Sequence, residues 1–153
     1  MIKYIKQLSL FVFVVVSAHA QHMDKKQVHD LILSKHFAFK AEYVMPMGAP
    51  SKFLTSEYDL RIHGDSLISD LPYFGRAYVA PAPGTEGGIK FTSTDYSYKA
   101  KQKKKGRWEI TLQPTEAGIK SELVLDVYEN GTARLMVNSS DRQAISYTGF
   151  IRK

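Results

Sequence analysis

The chain has 153 residues, no cysteine, a formal net charge of +6 and an aromatic content of 12%. Without cysteine there can be no disulfide, thiolate nucleophile or thiolate metal ligand, so stability has to come from a hydrophobic core. Much of the positive excess is concentrated in residues 99–107, which describes a local basic patch rather than a surface built for nucleic acid.

The chain opens with Met1-Ile2-Lys3-Tyr4-Ile5-Lys6, continues apolar over residues 7–16 and reaches Ser17-Ala18-His19-Ala20. A basic start, a short apolar run and a small-x-small end predict a secretory signal peptide cut between Ala20 and Gln21. A retained anchor fits less well: the uninterrupted run covers about nine residues, and a bilayer-spanning helix needs roughly 17–25. A lipid anchor would require a cysteine thiol after the cut. Loss of residues 1–20 leaves 133 residues with a net charge of +4, enough for one domain with its own core. The expected organisation is a signal peptide at 1–20 and a single sheet-rich domain at 21–153, exported and with no transmembrane segment after cleavage.

In the mature chain, residues 24–37 predict the one good helix. Val28, Leu31 and Ile32, with the stems of Lys35 and His36, form an apolar stripe, and Asp24 with Gln27 has the spacing of a capping box. From Phe37 the period changes to two, with Phe37, Phe39, Ala41 and Tyr43 on one side of a strand. Residues 46–50 read as a loop. Tyr58, Leu60 and Ile62 form a strand that turns through His63-Gly64-Asp65-Ser66 into a partner at 66–71. Residues 72–88 are rich in Gly and Pro and predict a long loop carrying several aromatics. Further strands centre on Tyr96 to Ala100, Trp108 to Leu112, Leu123 to Val127, Leu135 to Val137 and Ile145 to Ile151. Asn130-Gly131 is the signal of a type I′ hairpin, in which both central residues take positive φ. One helix and about eight strands result. Tight turns make neighbours antiparallel, and an apolar sheet face needs a cover. The expected class is α+β, an N-terminal helix packed on a curved, mostly antiparallel β-sheet, with a β-sandwich or partly open barrel as the alternative.

Few constellations carry chemistry. Tyr73, Phe74, Arg76 and Tyr78 lie together in the long loop and combine stacking faces with a fork donor, which suits a binding surface for a protein, peptide or glycan. The same aromatics would also serve to pin the loop to the sheet. Lys101, Lys103, Lys104, Lys105 and Arg107 could hold phosphate groups or anionic headgroups. Their place at a hairpin tip is equally explained by solubility and edge protection. His29 and His36 are seven apart, too far for a two-histidine metal pair on a helix. His63 lies beside Asp65 but no serine sits in a nucleophile elbow, and zinc-protease, P-loop and dinucleotide motifs are absent. Asp65, Asp70, Glu86 and Asp95 are the carboxylates from which a glycosidase pair could be drawn. Asn130 and Asn138 begin Asn-x-Ser/Thr triplets at predicted turns, where backbone geometry already explains them. No cofactor or metal is expected.

Met45-Pro46-Met47-Gly48, the stretch Leu71-Pro72-Tyr73-Phe74-Gly75-Arg76-Ala77-Tyr78, Gly87-Gly88-Ile89-Lys90-Phe91, Val137-Asn138-Ser139 and Arg142-Gln143-Ala144-Ile145-Ser146 with Gly149 resemble a family of exported Bacteroidetes proteins, domain of unknown function 4251. The resemblance covers nearly all of the mature chain. It implies a Gram-negative host, hence the periplasm, and brings no activity, cofactor or catalytic residue. In such a host Asp65-Ser66-Leu67 looks like an O-glycosylation signal with Ser66 as acceptor, though a hairpin turn entering a strand explains it as well. The expected function is a periplasmic binding module that touches an envelope protein, peptide or glycan through Tyr73, Phe74, Arg76 and Tyr78. The alternative is a small hydrolase of envelope polymers using turn carboxylates. Nucleic acid is not an expected partner.

Overall fold

The computed structural model describes residues 23–80 and 87–153. The expected signal peptide, its cut before Gln21, and Glu86 lie outside the described residues.

Helix α1 (Lys25–Ser34) starts where a capping box dictates. The Asp24 carboxylate accepts from the Gln27 backbone N–H at 2.8 Å, and the Gln27 side chain accepts from the Asp24 N–H at 3.0 Å. Val28 and Ile32 are buried and Leu31 half-buried. The helix stops three residues before the expected Phe37 because Lys35 turns left-handed, at φ 54°, and releases His36 into a strand. The Lys35 stem is therefore not part of the helical stripe. Its ammonium group lies 5.0 Å from the centre of the Tyr98 ring instead.

Nine strands follow: β1 (His36–Pro46), β2 (Lys52–His63), β3 (Ser66–Leu71), β4 (Ile89–Ser93), β5 (Tyr96–Gln102), β6 (Trp108–Pro114), β7 (Ser121–Val127), β8 (Thr132–Ser139) and β9 (Ile145–Arg152). The strand that the period-two count misses is β4, a five-residue segment beside the Gly-rich loop. β2 begins at Lys52, well before the expected Tyr58, because Phe53 pairs with Tyr43 across the hairpin. The sheet runs β4-β3-β2-β1-β9-β8-β7-β6-β5, with every pair antiparallel.

That order has a geometric consequence. Counting alternations across the sheet, β3 and β6 point the same way, so β4 and β5, antiparallel to them, also point the same way. Only Thr94 and Asp95 separate β4 from β5. The two are halves of one stave: the first half pairs with β3, the second with β6. The mostly antiparallel curved sheet is as expected, and it closes almost into a barrel, the arrangement that stood as the alternative. The split stave leaves one gap beside β4 and another beside β5. Inside, Phe37, Phe39, Leu60, Ile62, Leu67, Ile110, Leu112, Leu125, Leu135 and Tyr147 fill the interior, each at most about 1% exposed.

The curl depends on a bulge at Glu42. On β1 the inward residues are Phe37, Phe39 and Ala41 before it, then Val44 and Pro46 after it, so the alternation changes phase. Gly149 on β9 faces this site. A Cβ there would fall 1.9 Å from the Lys40 carbonyl oxygen, so only glycine lets the two backbones approach. The β7–β8 connection is not the expected type I′ turn. Gly131 takes φ 84°, but Asn130 does not take positive φ. Its side-chain oxygen accepts from the Thr132 N–H and hydroxyl instead, and Gly131 donates to the Tyr128 carbonyl at 3.0 Å, giving a three-residue loop closed by a glycine bulge.

Candidate functional site

The strand directions give the barrel two ends. At one lie α1 and the β2–β3, β5–β6 and β7–β8 connections; at the other lie the β1–β2, β3–β4, β6–β7 and β8–β9 connections. The long aromatic loop belongs to the second end, called the upper end below. Its backbone is anchored to the β8–β9 connection. The Tyr78 and Val79 N–H groups donate to the Asp141 carbonyl at 2.8 and 3.3 Å, Gln143 N–H donates to the Arg76 carbonyl at 2.9 Å, and Ala77 bridges Arg142.

The four residues of the expected binding surface divide into two groups. Tyr73 is a pin: its ring packs on the core, its hydroxyl lies 2.9 Å from both the Arg76 and Gln143 carbonyls, and the Arg142 guanidinium sits 5.1 Å from its ring centre. Burial raises its pKa, only partly offset by Arg142. Gly75 is required beside it, since a Cβ there would come within 2.5 Å of the Tyr73 hydroxyl. Buried Tyr147 adds a second pin by donating to the Pro72 carbonyl at 2.7 Å. Phe74, Arg76 and Tyr78 point the other way. Phe74 is 45% and Tyr78 64% exposed, and Lys52 lies over the Phe74 ring at 4.8 Å. Arg76 is exposed and makes no side-chain ion pair among the described residues.

The β8–β9 connection also walls a polar trough of about 420 Å³ on the outer side of the upper end, lined by Gln113, Lys120, Glu122, Asn138 and Ser140 among others. Glu122 and Asn138 stand opposite each other on β7 and β8. None of these five side chains has a hydrogen-bond or ion-pair partner among the described residues. A smaller recess of about 130 Å³ continues from the trough into the gap beside β4, reaching Phe91, Asp141 and Arg142. There a tight network holds the wall: Ser139 donates to Asp141 at 2.8 Å, and Arg142 reaches Asp141 at 3.2 Å and the Gly88 carbonyl at 3.1 Å. Burial pushes the Asp141 carboxyl up, but Arg142 and Ser139 outweigh it and hold it below its ordinary value.

The basic residues of the other expected patch form the β5–β6 tip, a short 3-10 turn at Lys104–Gly106. Lys103 pairs with Glu109 at 2.9 Å and Arg107 with Asp126 at 3.0 Å. Lys101, Lys104 and Lys105 remain exposed. Trp108 packs against the core, as its phase predicts, with its ring 5.7 Å from His29. Ser66 sits half-exposed at the start of β3, its hydroxyl 3.4 Å from Asp65, while Leu67 is buried. The structure scatters the expected carboxylates: Asp65 lies at the β2–β3 turn, Asp70 pairs with Lys90 on the outer face, and Asp95 lies in the stave joint. His36 and His63 bring their rings to 6.3 Å. Among the described residues no group of three His, Asp or Glu could hold a metal, and no helix is long and apolar enough to cross a membrane.

One carboxylate was hidden from the sequence. Glu116 accepts from the Ser93 hydroxyl, the Thr94 N–H at 2.7 Å and the Asp95 N–H at 3.0 Å. It binds the donors freed where the stave leaves β3 and joins β6. The Ser93 hydroxyl and then these N–H groups hold its pKa down at about 2 against the effect of burial. No local motif announces it, because its partners lie about twenty residues upstream.

A search of curated proteins finds no match. The fold is similar to the crystal structure of a DUF4251 family protein from Bacteroides eggerthii, with a TM-score of 0.66 and 17% identity over 83% of this chain and 85% of that one. At that identity the likeness speaks for the fold. The model of the family described as Domain of unknown function (DUF4251) matches residues 19–151, and the chain belongs to that family.

Proposed function

We propose that this protein is an exported binding module whose contact surface is the upper end of the barrel, with Phe74, Arg76 and Tyr78 as the side chains that meet the partner. The observation that carries this is the division of labour within the loop. Its backbone, Tyr73 and Tyr147 fix its course, while Phe74 and Tyr78 remain exposed on that fixed support. Large rigid aromatics cost little side-chain entropy when they bind and, with arginine, dominate recognition surfaces. The packed interior leaves the outer surface and loops as the place for a partner. In this reading α1 covers the lower end of the barrel, a role supported by burial of Val28 and Ile32 and by the Tyr98 hydroxyl bonding to the Ile32 carbonyl at 2.9 Å. The leader pattern of residues 1–20 supports export, and a Bacteroidetes host would make the destination the periplasm. Ser66 remains the proposed O-glycosylation acceptor, and its intact mass tests that directly.

The test of binding is a pull-down from envelope extract, comparing the protein with an F74A/R76A/Y78A variant. Capture that disappears in the variant while its melting temperature is retained supports the loop as the contact surface. Unchanged capture removes it.

A further inference from the structure

We infer that the partner of this surface is an oligosaccharide bearing acidic groups, whose hydroxyls are read by the trough beside the loop; this rests on the binding reading above. The trough and the aromatic loop share one wall. Asp141 holds Tyr78 through its carbonyl, and the same connection lines both the trough and the recess. A ligand lying on Phe74 and Tyr78 therefore has the trough within reach.

The two halves offer complementary chemistry. Aromatic faces carry a negative quadrupole and attract the polarised C–H face of a sugar ring. The trough offers what sugar hydroxyls need: Gln113 and Asn138 amides that donate and accept, the Ser140 hydroxyl, and the Glu122 carboxylate as acceptor. These groups have no partners of their own among the described residues, so they are available to a ligand without breaking a bond inside the protein. An apolar peptide segment would leave them unpaired and desolvated, which is costly. The charge balance selects the acidic class. Among the described residues Arg76, Lys52 and Lys120 bring three cations without an ion-pair partner, against Glu122 as the one carboxylate that lines the trough.

Affinity gel electrophoresis against polygalacturonate, alginate and hyaluronate, with dextran as neutral control, tests this at about 0.15 M salt, where long-range charge effects are screened. At least one acidic polysaccharide should retard the protein more than dextran does. Q113A/N138A should weaken that retardation about tenfold, in line with two lost polar contacts, with an unchanged melting curve. K103A/K104A/K105A at the opposite end should leave it intact. Failure of all three acidic polysaccharides overturns the assignment. So does retardation abolished by the tip variant but untouched by Q113A/N138A, since that is ion exchange on a lysine cluster. If F74A/R76A/Y78A loses an envelope protein in the pull-down while no polysaccharide retards the wild type, the glycan assignment falls and the binding module stands. If that variant changes neither assay, both fall.

Discussion

The two ends of the barrel use similar residue types to opposite ends. At the lower end the polar groups around α1 are consumed internally. Tyr98 bonds to the Ile32 carbonyl, Tyr96 to the Gly64 carbonyl at 2.7 Å, the Gly64 N–H to the Lys35 carbonyl at 2.8 Å, and Lys25 pairs with Glu129 at 2.8 Å. Burial raises the Tyr96 phenol and pushes that of Tyr98 well above its usual range, so both stay neutral donors. At the upper end Tyr73 and Tyr147 do the same inward work, yet Phe74 and Tyr78 stay exposed, and the polar trough side chains have no hydrogen-bond or ion-pair partner among the described residues. Tyr73, Tyr96, Tyr98 and Tyr147 are structural because their hydroxyls meet backbone carbonyls, whereas Tyr78 makes no such bond among the described residues and stays exposed. Residue type alone does not decide it.

The largest effect expected from breaking this contrast is at the lower end. Ile32→Ala removes a fully buried side chain from the core, and truncations of this kind cost about 2–5 kcal/mol. The urea midpoint should fall accordingly while polysaccharide retardation of the surviving folded fraction is unchanged. Loss of retardation in step with stability would mean the ends are not separable. Tyr147→Phe is expected to act in between. It deletes one hydroxyl and leaves the buried Pro72 carbonyl without its donor, at a cost of about 1–3 kcal/mol. It should also loosen the upper loop. Hydrogen exchange should accelerate at the Tyr78 and Gln143 amides before it does in α1. Uniform acceleration would show that Tyr147 supports the barrel as a whole and not the loop in particular.

Much of the lower end was legible in the sequence because its signals are local. The Asp24–Gln27 spacing, the phase of Phe37 and Phe39, the His63–Ser66 turn and the core phase of Trp108 each depend on a few neighbouring residues. What escaped depends on distant pairs. β4 is five residues long and acquires its identity only from β3. The Glu42 bulge is set by Gly149, more than a hundred residues away in sequence. The split within the expected quartet escaped for the same reason: composition places Tyr73, Phe74, Arg76 and Tyr78 on a loop, but only the Gln143 and Arg76 carbonyls distinguish the pin Tyr73 from its exposed neighbours. The trough was invisible, since Gln113, Glu122 and Asn138 come from three strands.

The smallest effect expected at neutral pH concerns the joint that lets the barrel close. Glu116 binds the hydroxyl and N–H groups of Ser93, Thr94 and Asp95 and has its pKa held at about 2 when folded, against 4.5 for an unperturbed group. Between those values the unfolded chain takes up a proton that the folded one refuses, so acid favours unfolding. The stabilisation is complete above pH 4.5, declines as the pH falls and is gone below about pH 2. Glu116→Gln keeps an oxygen to accept from the N–H groups but removes the charge. The variant should be modestly less stable than wild type at pH 7, and the gap in urea midpoint should close steadily between pH 4.5 and pH 2. A gap of constant size across that range would show that the carboxylate shapes the joint only sterically, leaving the closing stave to be held by the Thr115 bonds to the Asp95 carbonyl at 2.9 Å.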